Sequence, residues 1–592
     1  MTERELDRLL KKVEKPARYI GGEYNSIRKE QADLRFALCF PDVYEIGMSH
    51  LGSRILYHIL NEQADVACER CFAPWPDMEQ ALREAELPLF SLETKRPLKQ
   101  FDIVGFSLLY EMCYTNILTM LSLSGIPFRT ADRGETDPLI IAGGPCCCNP
   151  EPVAPFFDAI LIGDGEEMTL DVVHAVEAYR GKPKRELLAH LKTISGVYVP
   201  SLFQEGEKVT RRIVKDLDKA DFTGKPIVPY LNIIHDRVAI EVMRGCTRGC
   251  RFCQAGYIYR PIRERNKETV LALAREQVAC TGYDEISLLS LSTGDYSQVH
   301  ALVPEIIREM ASNRVSVSLP SLRVDTKLKE DFEVMQSVRK AGLTFAPEAG
   351  TQRLRDVINK NVTEEDILRA TADAFSAGWS TVKLYFMLGL PTETDEDILG
   401  IADLARKVSA QFYAMPKEQR GKGLRLNVSV ATFVPKPFTA FQYCPQVHLD
   451  EIRRKQTLLK GAMKGIRGAD LSCHLSRLSV LEAAFSRGDG RLADVLEQAW
   501  NNGCRFDSWS EHFKPEAWND AFTAYGLSAE DYAMRAFVPG EELPWRHVDM
   551  LVTEDYLRRE YAKAMEGTTT PDCRQGCNGC FGKEHANDCR LS

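Results

Sequence analysis

The chain has 592 residues, a net charge of −9 from 84 acidic and 75 basic residues, and an apolar content of 44%. This length predicts several domains. The net negative charge argues against a basic surface for nucleic acid over the whole protein, but it does not exclude a local basic patch. No apolar run approaches the ~18 residues of a membrane span, and the charged start at residues 1–5 differs from a secretory signal. These features predict a cytoplasmic protein.

The pattern of the first third predicts a sheet domain. Residues 1–32 are predicted to form a charged amphipathic arm. From 33 to 185, short apolar runs alternate with helix-like stretches, which is typical of an open parallel α/β sheet that binds ligands at the carboxyl ends of its strands. Residues 186–236 are predicted to be a linker. The predicted strands are Leu34–Phe40, Ile103–Leu108, Leu139–Ala142 and Ala159–Ile162.

A second alternation, from 237 to 445, predicts six βα units that form a partial (β/α)6 barrel with its chemistry in the loops after the strands. Residues 446–565 lack a clear strand pattern and predict a helical domain, and residues 566–592 form a Cys-rich tail. The predicted barrel strands are Val238–Met243, Glu285–Leu291, Val315–Leu319, Leu343–Phe345, Thr381–Leu388 and Arg425–Phe433.

Ten of the 18 cysteines lie in three short segments, 146–148, 246–253 and 573–589. In a large chain, cysteines grouped in this way are more often metal ligands than disulfide partners. Cys246, Cys250 and Cys253 have the spacing CxxxCxxC directly after a predicted strand. Three thiolates can hold a [4Fe–4S] cluster and leave its fourth iron open, whereas structural zinc normally takes four ligands. The spacing therefore favours the cluster.

These residues resemble the signature of the radical S-adenosylmethionine (SAM) superfamily, CxxxCxΦC, in which Phe252 takes the aromatic position Φ. The resemblance implies that the methionine amine and carboxylate of SAM chelate the open iron. It also implies that one electron, from a donor such as flavodoxin or ferredoxin, cleaves SAM to a 5′-deoxyadenosyl radical. That radical would abstract hydrogen from the substrate.

Four later loops, each at the end of a predicted barrel strand, resemble the superfamily's other SAM contacts. Residues 292–295 resemble its Gly-Gly-Glu stretch, with Thr and Asp as departures that leave the exact contacts open. The loop at 389–393 resembles the loop on the adenine side. The resemblance implies SAM contacts at Thr293, Gly294, Asp295, Ser318, Arg323, Glu348 and Gly389.

The N-terminal sheet carries a second resemblance, to the cobalamin-binding domain with its DxHxxG, SxL and GG motifs. Tyr44 stands where that domain has its cobalt-ligating His, and a phenol that titrates near ~10 is a poor cobalt ligand. Two interpretations stay open: cobalamin binds without a lower protein ligand, or the domain is a degenerate scaffold that shapes a substrate channel. The matching positions are Asp42, Tyr44, Gly47, Ser107, Gly143 and Gly144.

The tail cysteines Cys573, Cys577 and Cys580 repeat the CxxxCxxC spacing, and Cys589 follows. Such a set fits structural zinc or a second iron–sulfur cluster. The repeated spacing and the lack of a His pair at zinc-finger distance favour the cluster. The Cys146–Cys148 run is interpreted as small buried residues in preference to a redox or metal site, since free Cys is often simply buried.

The chain as a whole resembles fused cobalamin-binding-like and radical SAM proteins. The leading hypothesis is a radical enzyme of transferase type that methylates RNA or protein, or inserts sulfur into it. The alternatives are a small-molecule radical transformation and a non-catalytic iron–sulfur and cobalamin-like sensor or scaffold. No catalytic side chain is assigned beyond the cluster ligands. The basic stretch Arg453–Lys464 is the best local candidate for RNA binding, although a solvated helix face is favoured.

Overall fold

The computed structural model describes residues 1–220, 222–319, 343–418, 420, 423–582 and 589. Its N-terminal domain is a six-stranded sheet in the order β2-β1-β3-β4-β5-β6, in which β6 is antiparallel and the other strands are parallel. The strands of this part are β1 (Leu34–Phe40), β2 (Val66–Phe72), β3 (Ile103–Ser107), β4 (Leu139–Gly143), β5 (Ala159–Leu161), β6 (Val197–Tyr198) and the separate β7 (Val209–Thr210).

Helices cover both faces of this sheet, which is why β1 and β3 are apolar and buried along almost their whole length. The predicted strands are all present, but β2 was missed because Glu69 and Arg70 interrupt its apolar pattern. Part of the predicted linker also belongs to the fold, since it contributes β6 and β7. The helices are Glu3–Leu10, Ala17–Ile20, Tyr44–Gly47, Leu51–Glu62, Pro76–Glu84, Tyr114–Leu123, Gly165–Ala178 and Lys184–Leu191.

The second domain contains two parallel sheets, of order β12-β11-β8 and β13-β14-β15-β16. The strands are β8 (Val238–Glu241), β9 (Met243–Arg244), β10 (Arg263–Glu264), β11 (Glu285–Leu289), β12 (Ser316–Ser318), β13 (Leu343–Glu348), β14 (Thr381–Leu388), β15 (Arg425–Thr432) and β16 (Ala469–Cys473). The helices are Ala255–Ile258, Lys267–Thr281, Val299–Met310, Gln352–Val357, Glu364–Ser376 and Asp395–Ala414.

All six predicted barrel strands are present, and β16 adds one strand from the region that was expected to be helical. β16 was not predicted because it is a polar edge strand whose residues are half-buried or exposed. The remaining elements are the helices Leu449–Met463, Ser476–Arg487, Leu492–Asn501, Pro515–Ala524, Ala529–Ala533 and Glu554–Met565, and β17 (Val548–Asp549), which pairs with β7. Among the described residues, the helices are too short or too polar to span a bilayer.

Candidate active site

The first cysteine motif forms a loop between β9 and the helix Ala255–Ile258. Gly245 and Gly249 have φ angles of 93° and 71°, and a Cβ on Gly245 would lie 2.8 Å from the Pro261 carbonyl oxygen. These two positions therefore require glycine. They let the loop turn tightly, and each of its three thiols is half-buried. Burial raises the pKa of Cys253 to about 12, and the nearby Cys250 and Cys246 add to that rise.

The arrangement of these thiols fits a cluster. Within the described ranges, no three His, Cys, Asp or Glu side chains converge on the position of a single metal ion. A cubane cluster does not need such convergence, because each thiolate binds a different iron. Soft sulfur ligands suit iron–sulfur clusters, which bind cysteine as the thiolate.

Asp295 follows β11, as expected, but its carboxylate is already held by cations. Arg248 Nη2 and Arg574 Nη2 lie 2.6 and 2.7 Å from Asp295 Oδ1, and Ser292 Oγ donates to Oδ2 at 2.6 Å. Burial raises the pKa of Asp295, but the hydrogen bond and charge of Arg248 outweigh it and hold the pKa below its usual range. A SAM contact of Asp295 would therefore share this carboxylate with two arginines.

The other predicted SAM contacts lie at strand ends. Thr293 is fully buried and its hydroxyl is 3.0 Å from Ser290 Oγ. Ser318 Oγ lies 3.4 Å from Ser287 Oγ, and Gly294 sits in the same short turn as Thr293. Arg323 lies outside the described residues.

A lysine that the sequence pattern did not single out connects two of the predicted positions. Lys360 Nζ lies 3.1 Å from Glu348 Oε1 and 6.0 Å from the ring centroid of Phe252. Glu348 has a φ of 67°, a strained value for a residue with a side chain, and such strain is concentrated at functional sites. Gly389 has a φ of 84°, and its N–H donates to Glu393 at 2.9 Å.

A cavity of about 410 Å³ lies between the carboxyl ends of the N-terminal strands and the loop of the first cysteine motif, residues 245–254, which we call the cluster loop. Ser107, Gly143 and Gly144 line it on one side, and Arg244 and Gly245, next to Cys246, line it on the other. The predicted strand-end loops of both domains therefore share one cavity. Its wall is largely apolar and rich in glycine, which leaves backbone accessible to a large ligand.

The DxHxxG-like residues lie behind this cavity and do not line it, which differs from the expectation. Tyr44 is 1% exposed and donates to Glu23 Oε1 at 2.9 Å, and burial raises its pKa. Asp42 accepts from Tyr110 and from Trp509 Nε1. A Cβ on Gly47 would lie 2.2 Å from Phe72. All three residues are therefore in contact with other parts of the protein.

His50 lines the cavity instead. Its Nδ1 accepts from the Ser53 N–H at 3.1 Å, so in the neutral ring the proton lies on Nε2. Burial lowers the pKa of His50 to about 4, which keeps the ring neutral. His50 therefore offers the cavity a hydrogen-bond donor. It lies three residues beyond the motif, so the motif pattern could not identify it.

The rim of the cavity carries a charge network that joins the two domains. Arg244 Nη2 lies 2.6 Å from Glu166 and 2.9 Å from Glu241, and Nη1 lies 3.3 Å from Asp164. Asp164 and Glu166 follow β5 of the N-terminal sheet, whereas Arg244 belongs to β9. The network thus fixes the cluster loop relative to the sheet.

The C-terminal tail docks on the cluster loop. The Cys573 N–H donates to Thr247 O at 3.1 Å, and Thr247 Oγ1 donates to Asp572 at 2.8 Å. Arg248 also lies 3.0 Å from Asp572. Cys573 and Cys589 are half-buried, Cys577 is exposed and Cys580 is buried.

The Cys146–Cys148 run forms a short 3-10 turn after β4. Cys147 and Cys148 are each 1% exposed. Burial raises the pKa of Cys148 to about 12, which keeps this thiol protonated. The structure therefore supports a packing role for this run.

Two family models match the chain. One, described as the radical SAM superfamily, matches residues 240–405, and the other, described as radical SAM proteins, N-terminal, matches residues 52–200. The first covers the cluster loop and most of the barrel strands. The second covers most of the N-terminal sheet.

Curated relatives include an uncharacterised protein of Methanocaldococcus jannaschii, 29% identical over 78% of this chain and 91% of its own length. An anaerobic magnesium-protoporphyrin IX monomethyl ester cyclase of Cereibacter sphaeroides is 29% identical over 41% of this chain and 40% of the cyclase. A tRNA-2-methylthio-N(6)-dimethylallyladenosine synthase of Carboxydothermus hydrogenoformans is 27% identical over 38% of this chain and 53% of the synthase.

Solved structures that are similar to the chain at low identity include a methyltransferase and a second cobalamin-dependent enzyme. The radical SAM methyltransferase TsrM from Kitasatospora setae, with cobalamin and a [4Fe–4S] cluster bound, is 14% identical with a TM-score of 0.48, covering 68% of this chain and 75% of its own. The cobalamin-dependent radical enzyme OxsB with aqua-cobalamin is 14% identical with a TM-score of 0.46, covering 67% of this chain and 53% of its own.

Proposed function

We propose that this chain, whose residues 240–405 match the radical SAM superfamily model, is a radical SAM enzyme with a [4Fe–4S] cluster and SAM as cofactors. We propose further that it uses cobalamin and transfers a methyl or methylthio group to RNA or protein. The observation that carries this proposal is the cavity that runs from Ser107, Gly143 and Gly144 to the loop of Cys246. A carrier held there would lie beside the radical-generating cluster.

The chemistry divides between the cofactors and the chain. When bound, the cluster supplies the electron that cleaves SAM, and cobalamin supplies a cobalt centre that can carry a methyl group. The chain supplies the three thiolates that hold the cluster, at Cys246, Cys250 and Cys253. His50 offers a neutral N–H donor to the cavity, and Lys360 fixes Glu348 beside the cluster loop. The cavity wall is largely apolar, which suits the burial of a large ligand.

We favour binding of cobalamin with no side chain of the protein as the lower ligand of cobalt. Tyr44 is buried away from the cavity, and the Nδ1 atom of His50 is occupied by the Ser53 N–H. His50 therefore keeps its proton on Nε2 and offers no lone pair there to cobalt. The interpretation as a degenerate scaffold predicts instead that the protein takes up no cobalamin.

The class of substrate is proposed from the named activity of relatives. Several relatives are tRNA-modifying methylthio synthases, which supports RNA as the first substrate to test. The basic face of the helix Leu449–Met463 does not add to this support, because Arg453 pairs with Asp450 and Arg454 pairs with Asp395. The porphyrin ester cyclase among the relatives supports a small molecule as the alternative.

Replacing Cys253 tests the radical chemistry. We expect Cys253→Ala to abolish formation of 5′-deoxyadenosine from SAM by the anaerobically reconstituted, reduced protein, since the cluster loses one of three thiolates. Cys280→Ala is the matched control, because Cys280 lies half-buried on the helix Lys267–Thr281, which is not part of the cluster loop. Equal activity of Cys253→Ala and wild-type protein would contradict the proposal.

Cofactor and substrate are tested separately. Wild-type protein reconstituted with hydroxocobalamin should retain about one cobalt per chain after gel filtration and show a cobalamin absorption spectrum. Incubation with methyl-deuterated SAM should then label nucleosides in digests of total RNA, or peptides in digests of total protein, as detected by mass spectrometry. Absence of cobalt overturns the cobalamin part, and label confined to a small-molecule extract overturns the macromolecular substrate.

A further inference from the structure

Arg260 is a buried cation whose hydrogen-bonding capacity is largely unused. It is 3% exposed, and neither Nη1 nor Nη2 has a hydrogen-bond partner among the residues that the structure describes. Its Nε donates to Gly256 O at 3.0 Å. The guanidinium carbon lies 5.1 Å from the ring centroid of Tyr257 and 5.8 Å from that of Tyr556. A buried charge without matched acceptors is costly, so this arrangement indicates an anionic group beside it.

Arg260 lies between the two cysteine motifs. On one side, a Cβ added to Gly249, which precedes Cys250, would lie 3.4 Å from Nη2. On the other side, Cys573 and Cys580 lie within electrostatic range of the guanidinium and of each other. The guanidinium is therefore close to the loop of the first motif and within electrostatic range of the tail thiols.

The tail motif is held in place at both ends. Its first cysteine, Cys573, donates its N–H to Thr247 O of the first motif at 3.1 Å. Its third, Cys580, accepts the N–H of Thr553 at 2.9 Å, at the start of the helix Glu554–Met565. The exposed Cys577 lies between them, and its sulfur accepts the Gly579 N–H at 3.4 Å. This is an ordered loop with one buried and two more accessible thiols.

The two motifs share more than the spacing of their cysteines. The first reads Cys-Thr-Arg-Gly-Cys-Arg-Phe-Cys and the second Cys-Arg-Gln-Gly-Cys-Asn-Gly-Cys, so that each has glycine directly before its middle cysteine. Gly249 has a φ of 71° and Gly576 a φ of 151°, so both glycines use backbone conformations that favour glycine. The two motifs therefore share a positive-φ glycine before the middle cysteine, although the two conformations differ.

We propose that Cys573, Cys577 and Cys580 bind a second iron–sulfur cluster beside the first, and that Arg260 supplies the positive charge such a thiolate-bound cluster requires. A thiolate-ligated cluster carries a net negative charge, which would satisfy the buried guanidinium. Cys589 is the remaining tail cysteine and the candidate fourth ligand. The second cluster does not depend on SAM cleavage, so this proposal can be tested independently of the proposed function.

Iron and acid-labile sulfide are measured on three anaerobically prepared full-length proteins. The wild type should hold about eight irons and eight sulfides per chain, and about four of each should remain when either motif is removed. The two variants are Cys246→Ala/Cys250→Ala/Cys253→Ala and Cys573→Ala/Cys577→Ala/Cys580→Ala. The proposal is overturned if the first variant, folded by circular dichroism, holds neither iron nor sulfide, or holds one zinc and no sulfide.

A second measurement uses the wild type and single substitutions, in case a triple variant does not fold. The electron paramagnetic resonance spectrum of the reduced wild type should contain two cluster signals, and addition of SAM should change only one. Arg260→Gln should lose about half of the bound iron, whereas Arg260→Lys, which keeps the charge, should retain it. One signal with about four irons in the wild type overturns the proposal. Eight irons without 5′-deoxyadenosine formation would overturn the proposed function and leave this site intact.

Discussion

Asp507 is a buried carboxyl in the contact between the C-terminal helices and the N-terminal sheet domain. It accepts from Thr115 Oγ1 at 2.7 Å and from Trp518 Nε1 at 2.8 Å. Burial raises the pKa of Asp507 to about 6, since these donors and the charge of Arg505 do not offset the loss of water. At the scale of single residues, this group makes the stability of the domain contact depend on pH.

The folded protein holds the Asp507 proton more tightly than the unfolded chain does. The stabilisation from this group is therefore complete below about pH 4 and is lost as the pH rises to about 6, by roughly 3 kcal/mol. Asp507→Asn keeps an acceptor for Trp518 and removes the charge. We expect this variant to have a higher thermal midpoint than the wild type at pH 7.5 and a similar one at pH 4.5. A difference of equal size at both pH values would contradict the assignment.

The candidate site residues differ in how far the sequence pattern identifies them. Cys246, Cys250 and Cys253 are adjacent in sequence, so their spacing alone predicted that they act together. His50 and Lys360 have no such signal, because only packing brings the first onto the cavity wall and the second beside Glu348. Tyr44 shows the converse case, in which a motif position lies in the core.

At the scale of elements, the loop after β4 shows how backbone geometry builds the cavity wall. Gly144 has a φ of 126°, and a Cβ there would lie 2.5 Å from Leu108 O. At the neighbouring Gly143 the nearest atoms to a Cβ, both of Leu161, are 3.7 Å away, an ordinary contact. Two adjacent glycines of one motif therefore have different physical requirements.

These two glycines form a matched pair of substitutions. We expect Gly144→Ala to destabilise the protein by about 2 kcal/mol or more, because the new side chain would be strained and would overlap backbone. Gly143→Ala should cost less than about 1 kcal/mol, since its φ and surroundings accept a methyl group. Thermal midpoints of both variants without added cofactor are the measurement. Similar losses for the two would contradict the geometric argument.

At the scale of the whole molecule, the active site depends on how the two domains are joined. Arg244 is one of two cations in the buried network that links β9 to the loop after β5; it contacts Asp164 and Glu166, and Arg263 also pairs with Asp164. Removing one member of a buried network leaves the other charges uncompensated, which costs about 3–5 kcal/mol. An exposed ion pair contributes about 1 kcal/mol or less.

We therefore expect Arg244→Met to lower the free energy of unfolding by about 3 kcal/mol and to make the segment between β7 and β8 more sensitive to limited proteolysis. Arg454→Met is the control, because Arg454 is half-exposed in its pairs with Asp395 and Glu451. It should leave the thermal midpoint and the proteolysis pattern close to those of the wild type. A domain joint held mainly by apolar contacts would instead give two variants of similar stability.

The sequence by itself determined the class of fold, the two alternating domains and the cluster loop. These depend on local information: β1 and β14 have the predicted bounds because apolar runs between turns specify strands. β2 could not be predicted, because its Arg70 is buried only through pairing with Glu23 and Glu93, which lie far away in the chain.

The tertiary structure alone decided which predicted residues share a site. It placed Ser107, Gly143 and Gly144 on one cavity with the cluster loop, moved Asp42, Tyr44 and Gly47 behind it, and brought the tail onto Thr247. Residues that are distant in sequence meet through contacts that no local pattern encodes. Spacing along the chain can therefore identify a ligand set within one loop, but the neighbours of that set are fixed by packing.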